Sequence, residues 1–379
     1  MTTVTLGKLK YDALDLIIVE ALGKYGPRNI YKISKYLDIP ESTIRHRIGM
    51  LQKKKLLALR TNVYHTNIGL KKGIVRVETN PAFANYINDF LMANDYWIFV
   101  KNIHGNKEGG YSVYTIPIEH TNKLIDFMEE LKDLGVIWNY RLMWSTCFHR
   151  VNPTTSWYDL KNERWDFKWN QLIKDIELAN TDLPITLKDP PCFPILADEI
   201  DLFILKELEK DATISLSDIA KMLNTSVQNV HYHYKAHIIK NFLIEDFSIY
   251  FMRFDPYKSV TPVFFIEFPN YKYLAKVANA FRDKPFAEVL GKILESNKLM
   301  VSAYLPIEEF FKMLETLNTM AELGFIRDYE YYLMSQVEKG KRQTINYEKF
   351  INGKWLYEHD LYIQRIHDRY ERIARKINH

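Results

Sequence analysis

Ser42, Thr43, Arg45, His46 and Arg47 stand close together in the stretch DIPESTIRHRIGMLQKKKLL, which runs from Asp38 to Leu57. Hydroxyl, imidazole and guanidinium groups at that density can hydrogen-bond to the edges of nucleic-acid bases, arginine to guanine in a bidentate way. Lys53, Lys54, Lys55 and Arg60 follow, cations that suit phosphate oxygens. Ile44, Ile48 and Leu51 are spaced four and then three residues apart, so they form the buried stripe of an α-helix and leave the polar groups on its other face. Ser42 is placed to cap that helix.

A second set lies in NTSVQNVHYHYKAH, where Gln228, Asn229, His231, Tyr232 and Lys235 could meet bases and Lys240 a phosphate. Glutamine and asparagine suit adenine. His233 and His237 share a helix face at a spacing of four, but His231 points elsewhere and no neighbouring carboxylate or thiol completes a ligand set, so no metal site is expected. Cys147 and Cys192 form no CxxC pair, which argues against a disulfide framework or a thiolate site. Trp157, Trp165 and Trp169 could stack on a planar ligand, yet an aromatic stripe of this kind is read as the plug of a domain interface. No cofactor is implied.

The elements that must position these groups occur twice. LKYDALDLIIVEALGKYG and NIYKISKYLDI predict two helices ahead of the Ser42 helix, and strand-like residues around Arg60 predict a wing. DEIDLFILKELEKDATISLSDIAKMLNTSVQNVHYHYKAHIIKNFLI repeats that module, Ile44 matching Val230 at an offset of 186 residues. Downstream, Ile116–Tyr140 matches Leu305–Tyr329 at an offset of 189, and Trp165 matches Trp355. After each helix-turn-helix the pattern runs β-α-β-β-α-β, the ferredoxin-like order. A C-terminal stripe of Tyr362, Ile366, Tyr370, Ile373 and Ile377, with Arg365, Arg369, Arg372 and Arg375 beside it, predicts a capping or dimerising helix whose arginines could support a phosphate contact.

The net charge of the 379 residues is +4, and its distribution says more than its size. Met1 to Arg60 holds 12 Lys+Arg against 5 Asp+Glu, whereas the matching Leu196 to Phe254 holds 6 against 9. The first module therefore carries the field that would attract phosphate through counterion release. With 47% hydrophobic and 26% charged residues, and no apolar run resembling a secretory signal or a membrane span, the chain is expected to be a cytoplasmic protein without a membrane partner.

The winged helix-turn-helix around IPESTIRHRI, followed by a βαββαβ pattern with Gly105 in the β2–β3 turn and LGV before its last strand, resembles the Lrp/AsnC family of transcription regulators, in its archaeal form and duplicated. The resemblance implies binding to double-stranded DNA, pairing of the ferredoxin-like domains and of further chains through them, and a small-molecule effector near Gly105 and Tyr111. The family's G-x-x-D-Y turn appears here as GNKEGGYSV, with no Asp before Tyr111. Siroheme decarboxylases resemble the same unit, but their strand motif is missing from VKNIHGNKEGGYSVYTI and LGKILESNKLMVSAYL. With no phosphate loop or nucleophile–base pattern either, the chain is not expected to be an enzyme.

The expected fold class is α+β, two tandem units with aromatic helical extensions. Residues 1–68 form the first winged helix-turn-helix and 69–150 the first ferredoxin-like domain. Residues 151–195 form the aromatic extension and proline-rich linker, 196–258 the second winged helix-turn-helix, 259–339 the second ferredoxin-like domain and 340–379 the C-terminal helical extension. The expected function is sequence-specific DNA binding as a transcription regulator, with siroheme-decarboxylase-like chemistry or small-molecule binding as the alternative.

Overall fold

A computed structural model describes residues 11–105, 108–336 and 340–377. Asn106 and Lys107 of the glycine turn, and the side chain of Ile377 in the C-terminal stripe, lie outside the described residues.

Three helices open the chain: α1 (Ala13–Tyr25), α2 (Ile30–Leu37) and α3 (Glu41–Lys53), followed by strand β1 (Leu57–Val63). Ile44, Ile48 and Leu51 are buried against Leu16, Val19 and Leu22 of α1 and Ile33 of α2, as the spacing requires. Ser42 does not cap α3. Pro40 occupies the N-cap, its ring setting a helix-compatible entry, and Ser42 falls inside the first turn.

Next come β2 (Leu70–Thr79), α4 (Ile87–Leu91), β3 (Trp97–His104), β4 (Gly109–Pro117), α5 (Thr121–Asp133) and β5 (Ile137–Ser145). The short strand β6 (His149–Arg150) and helix α6 (Trp169–Leu178) lead to the second set of helices, α7 (Glu199–Lys210), α8 (Leu216–Met222) and α9 (Val227–Tyr232). A π-helix over His233–Ile239 continues α9, and β7 (Ile244–Phe251) follows. The last third contains β8 (Pro262–Glu267), α10 (Tyr271–Phe281), β9 (Ala287–Ile293), β10 (Lys298–Ala303), α11 (Ile307–Glu322) and β11 (Asp328–Met334). A short strand β12 (Lys341–Arg342) and helix α12 (His359–Ile377) end it.

Strands β5-β2-β4-β3 form one antiparallel sheet and β11-β8-β10-β9 another, each in the ferredoxin-like order. The sheets join at both edges. Leu333 and Met334 of β11 pair with His104 and Ile103 of β3, and Ile293 of β9 pairs with Ser145 of β5, so the eight strands close into a ring. Alternation along each strand turns one face inward, and Ile74, Val113, Met143, Val263, Phe265, Val289 and Met300 fill the ring. Gly291 sits at one seam, where a side chain would press on Ser145 Oγ at 2.9 Å and on the Phe148 ring at 3.0 Å.

The strand expected as a free wing is a partner instead. β1 pairs antiparallel with β7, Leu57 opposite Phe251 through Val63 opposite Ile244, and the two modules share this ribbon. The aromatic extensions cross over in the same way. Trp157, Trp169, Leu172 and Ile176 bury against Leu274, Phe281 and Phe286 of the later ferredoxin-like domain, while Trp355, Tyr362, Ile366 and Ile373 bury against Phe83, Phe90 and Phe127 of the earlier one. Each extension thus covers helices of the other half of the chain. Arg365 bonds to Ala93 O and Asp95, and Arg369 to Asp89 O, so these two arginines hold protein rather than facing phosphate. No described helix is long and apolar enough to cross a membrane.

Candidate functional site

Helix α3 presents Ser42, Arg45 and His46 to solvent, with Thr43 half-buried and Lys53, Lys54 and Lys55 exposed at its end. Arg45 leans on Glu41 at 3.2 Å, an exposed pair that costs little to break. Arg47 is engaged. Its Nη1 lies 2.8 Å from Asp12 Oδ2 and 2.8 Å from Asp15 Oδ1, and those carboxylates form the capping box of α1. Burial alone would raise the Asp12 carboxyl, but hydrogen bonds from Arg47 and from backbone N–H groups hold it below its ordinary value.

In the second module Gln228, His231, Tyr232, Lys235 and Lys240 are exposed and Asn229 is half-buried, its amide bonded to Thr225. Ser226, which matches Pro40, caps α9 by accepting from the Asn229 N–H. The positions matching Asp12, Asp15 and Arg47 are Asp198, Asp201 and His233. Here too the carboxylates form a capping box. His233 Nδ1 lies 2.9 Å from Asp201 Oδ1, and His237 Nδ1 lies 3.1 Å from Asp201 Oδ2. Two carboxylates and two imidazoles therefore meet. The histidine pair was legible from its spacing; the carboxylates, more than 30 positions upstream, were not.

Arg60 belongs to neither outer face. It belongs to a cluster of charges with Lys72 of β2, Lys101 of β3, Arg150 of β6 and Arg342 of β12, with Glu209, Glu245 and Glu288 among them. Lys72 is buried, whereas Arg342, though crowded by protein, is exposed at the edge of the cluster. Burial, then Arg150 and Arg60, press its guanidinium down to about 9, so it is charged at neutral pH and lacks a full counter-charge. Burial lifts Glu209 to about 7 against the pull of the Ile345 N–H, Arg342 and Lys72, and burial also raises Glu245. Five cations thus face three carboxylates, two of which resist ionising. Among the described residues Arg150 Nε has no hydrogen-bond partner, Glu245 Oε1 faces His149 Nδ1 at 3.7 Å, and the buried His65 ring has only the backbone of Val63 to bond to. Burial, followed by Lys72, keeps that imidazole neutral. Unpaired buried polar atoms cost about 1–3 kcal/mol each, and an anionic ligand could satisfy Arg150 Nε. Tyr111 lies buried beside Arg150, and Gly105 is exposed next to Tyr332, which packs against the cluster that holds Tyr111.

Comparison with known proteins gives two kinds of likeness. Residues 198–236 match the winged helix-turn-helix DNA-binding family. No curated protein matches the sequence. Over its whole length the chain is similar in structure to the siroheme decarboxylase NirDL, with a TM-score of 0.50 and 10% identity, covering 96% of this chain and 100% of that one. That enzyme is also known in co-complex with an iron-uroporphyrin III analogue. An AsnC-family transcriptional regulatory protein of Pyrococcus furiosus superposes with a TM-score of 0.29 at 21% identity, covering 36% of this chain and 89% of that one. AsnC of E. coli gives 0.29 at 15% identity, covering 36% and 92%. The expectation of a chain that is not an enzyme is corrected here, because the fold that spans the full length is an enzyme's. Absence of a strand motif was too local a test of a fold that places its groups from many strands at once.

Proposed function

We propose that the chain is a DNA-binding regulator made of two tandem winged helix-turn-helix and ferredoxin-like units, and that it carries a carboxylate-rich small molecule at the cluster of Arg60, Arg150 and Arg342. The observation that carries the DNA reading is the solvent face of α3. Ser42, Arg45 and His46 are presented outward on a helix fixed from behind by Arg47, with Lys53–Lys55 at its end. In this reading Ser42, Thr43, Arg45 and His46 meet base edges, and the lysines meet phosphate. Gln228, Asn229, His231, Tyr232 and Lys235 form the second reading face. The match of the second module to DNA-binding domains supports the same use. The test is binding to fragments of genomic DNA across a salt series. Arg45→Ala/His46→Ala should erase preference among fragments, and Lys53→Gln/Lys55→Gln should flatten the salt dependence by about 0.9 per lost phosphate contact. Equal affinity for every fragment by the unaltered protein overturns the reading.

A second reading, tetrapyrrole chemistry at the charged cluster, is favoured by the cationic surplus of Arg60, Lys72, Lys101, Arg150 and Arg342. A macrocycle bearing several carboxylates would match that charge, and the full-length likeness to a siroheme decarboxylase supports the reading. Iron uroporphyrin III added to the protein should give a shifted visible band that Arg150→Ala/Arg342→Ala loses. An unshifted spectrum counts against tetrapyrrole binding and leaves the DNA reading to its own test.

A further inference from the structure

The two helix-turn-helix modules differ by one residue, and the difference has a chemical result. Ile44 and Val230 are both fully buried and Arg47 matches His233, each 186 positions apart. Beyond that point the register is 187. Leu51 and Ile238 take the same buried place, Leu56 N–H donates to Leu51 O as Leu243 N–H donates to Ile238 O, and the left-handed residue is Lys55 in one module and Phe242 in the other. The inserted residue is absorbed by the π-helix at His233–Ile239, the usual way a helix accommodates one, and often a mark of function. It frees His237 from the core position that Leu51 occupies and turns it toward Asp198 and Asp201.

In the first module a single guanidinium bridges two carboxylates. In the second, two imidazoles do so. The ligand atoms of Asp198, Asp201, His233 and His237 lie within 4.8 Å of one another. The four nitrogen–oxygen separations are 2.9, 3.1, 3.5 and 3.7 Å. A tetrahedral ion at bond lengths near 2.1 Å needs ligands about 3.4 Å apart; the four nitrogen–oxygen separations lie within about half an ångström of that, and the widest pair of ligand atoms, up to 4.8 Å apart, has further to close. The capping box already orients the acceptors. Asp198 Oδ1 receives the Asp201 N–H and Asp201 Oδ2 receives the Asp198 N–H; Asp198 Oδ2 and Asp201 Oδ1 face His233, while His237 meets Asp198 Oδ2 and shares Asp201 Oδ2 with that backbone N–H. Such bonds to the carboxylates are the outer support that a metal site needs.

We propose that Asp198, Asp201, His233 and His237 form a site for one divalent transition-metal ion of the zinc type, which ties α7 to the second reading helix as Arg47 ties α1 to the first. Two imidazoles and two carboxylates suit zinc or cobalt better than calcium or magnesium, which seek all-oxygen sets.

The experiment uses the untagged full-length protein, dialysed against chelator and then titrated with Zn²⁺ and with Co²⁺. One equivalent of Zn²⁺ should be retained after gel filtration, and Co²⁺ should develop the intense visible bands of a four-coordinate ion. His233→Arg re-creates the arrangement of the first module and should keep the fold while abolishing both signals. His237→Asn, at a partly exposed position, should weaken binding about tenfold or more. Failure of the unaltered protein to retain zinc, or cobalt bands that persist in His233→Arg, overturns the proposal.

Discussion

Arg47 shows how one side chain can look like a reader of bases and act as a brace. Its guanidinium is held by Asp12 and Asp15 at 2.8 Å, partly shielded from solvent. Arg47→Ala should therefore destabilise the first module by about 1 kcal/mol, a value discounted for the exposure of Asp12, and chemical denaturation measures it. The contribution depends on pH through Asp12. Its carboxyl is held below the ordinary 3.8 in the folded state, so the stabilisation is present above that value and lost as pH falls through the lower folded value. Glu209 behaves in the opposite sense. The folded protein holds its proton up to about 7, against 4.5 ordinarily, so the stabilisation is complete below the ordinary value and is lost as pH rises through about 7. Melting temperature followed across that interval should fall in the wild type and stay nearly flat in Glu209→Gln; parallel curves would show that another group is responsible.

Among the elements, the crossed extensions carry the tightest coupling between the halves of the chain. Trp355 is almost fully buried, packs edge-on to Phe350 with ring centroids 4.9 Å apart, and donates its indole N–H to Ile68 O at 2.6 Å. Trp355→Ala should cost about 3–5 kcal/mol, whereas Trp355→Phe keeps most of the packing and should cost about 1 kcal/mol for the lost hydrogen bond; equal losses would mean that the ring does not bear on the core. What the sequence disclosed of these elements follows from period and repetition. Ile44, Ile48 and Leu51 announce their helix, and alternation in GIVRVET and GYSVYTIPI announces strands that are present. Partners across space were not legible. Nothing in LLALRTNVYHTN says that its strand will lie against residues 244–251, and Trp157 does not tell which half of the chain it will cover. The cationic cluster was not legible for the same reason: Arg60, Lys72, Arg150 and Arg342 lie far apart in the sequence and become a group only when the strand ring closes. His237 gave half a signal, because a gap-free match to the first module hides the extra residue that releases it.

At the scale of the molecule, closing eight strands within one chain uses the sheet edges through which separate chains would otherwise join, and the crossed extensions cover the helical faces. The chain should behave in solution as a single copy of 45.0 kDa by light scattering; a mass of twice that value would place a dimer contact elsewhere. Two helix-turn-helix modules in one chain need not present the same face. The first module has a net charge of +7 and offers Ser42, Arg45 and His46, whereas the second has −3 and offers Gln228, His231 and Tyr232. Arginine and lysine favour guanine, and glutamine favours adenine, so the two halves of a bound DNA site should differ in sequence. The electrostatic share of the affinity should come from the first module. Footprinting on a selected fragment tests both statements together. Arg45→Ala/His46→Ala should weaken protection over one half of the site and Gln228→Ala/His231→Ala over the other, with the larger loss from the first pair. Two identical inverted half-sites, equally affected by either pair, would show that the modules read DNA alike despite their different faces.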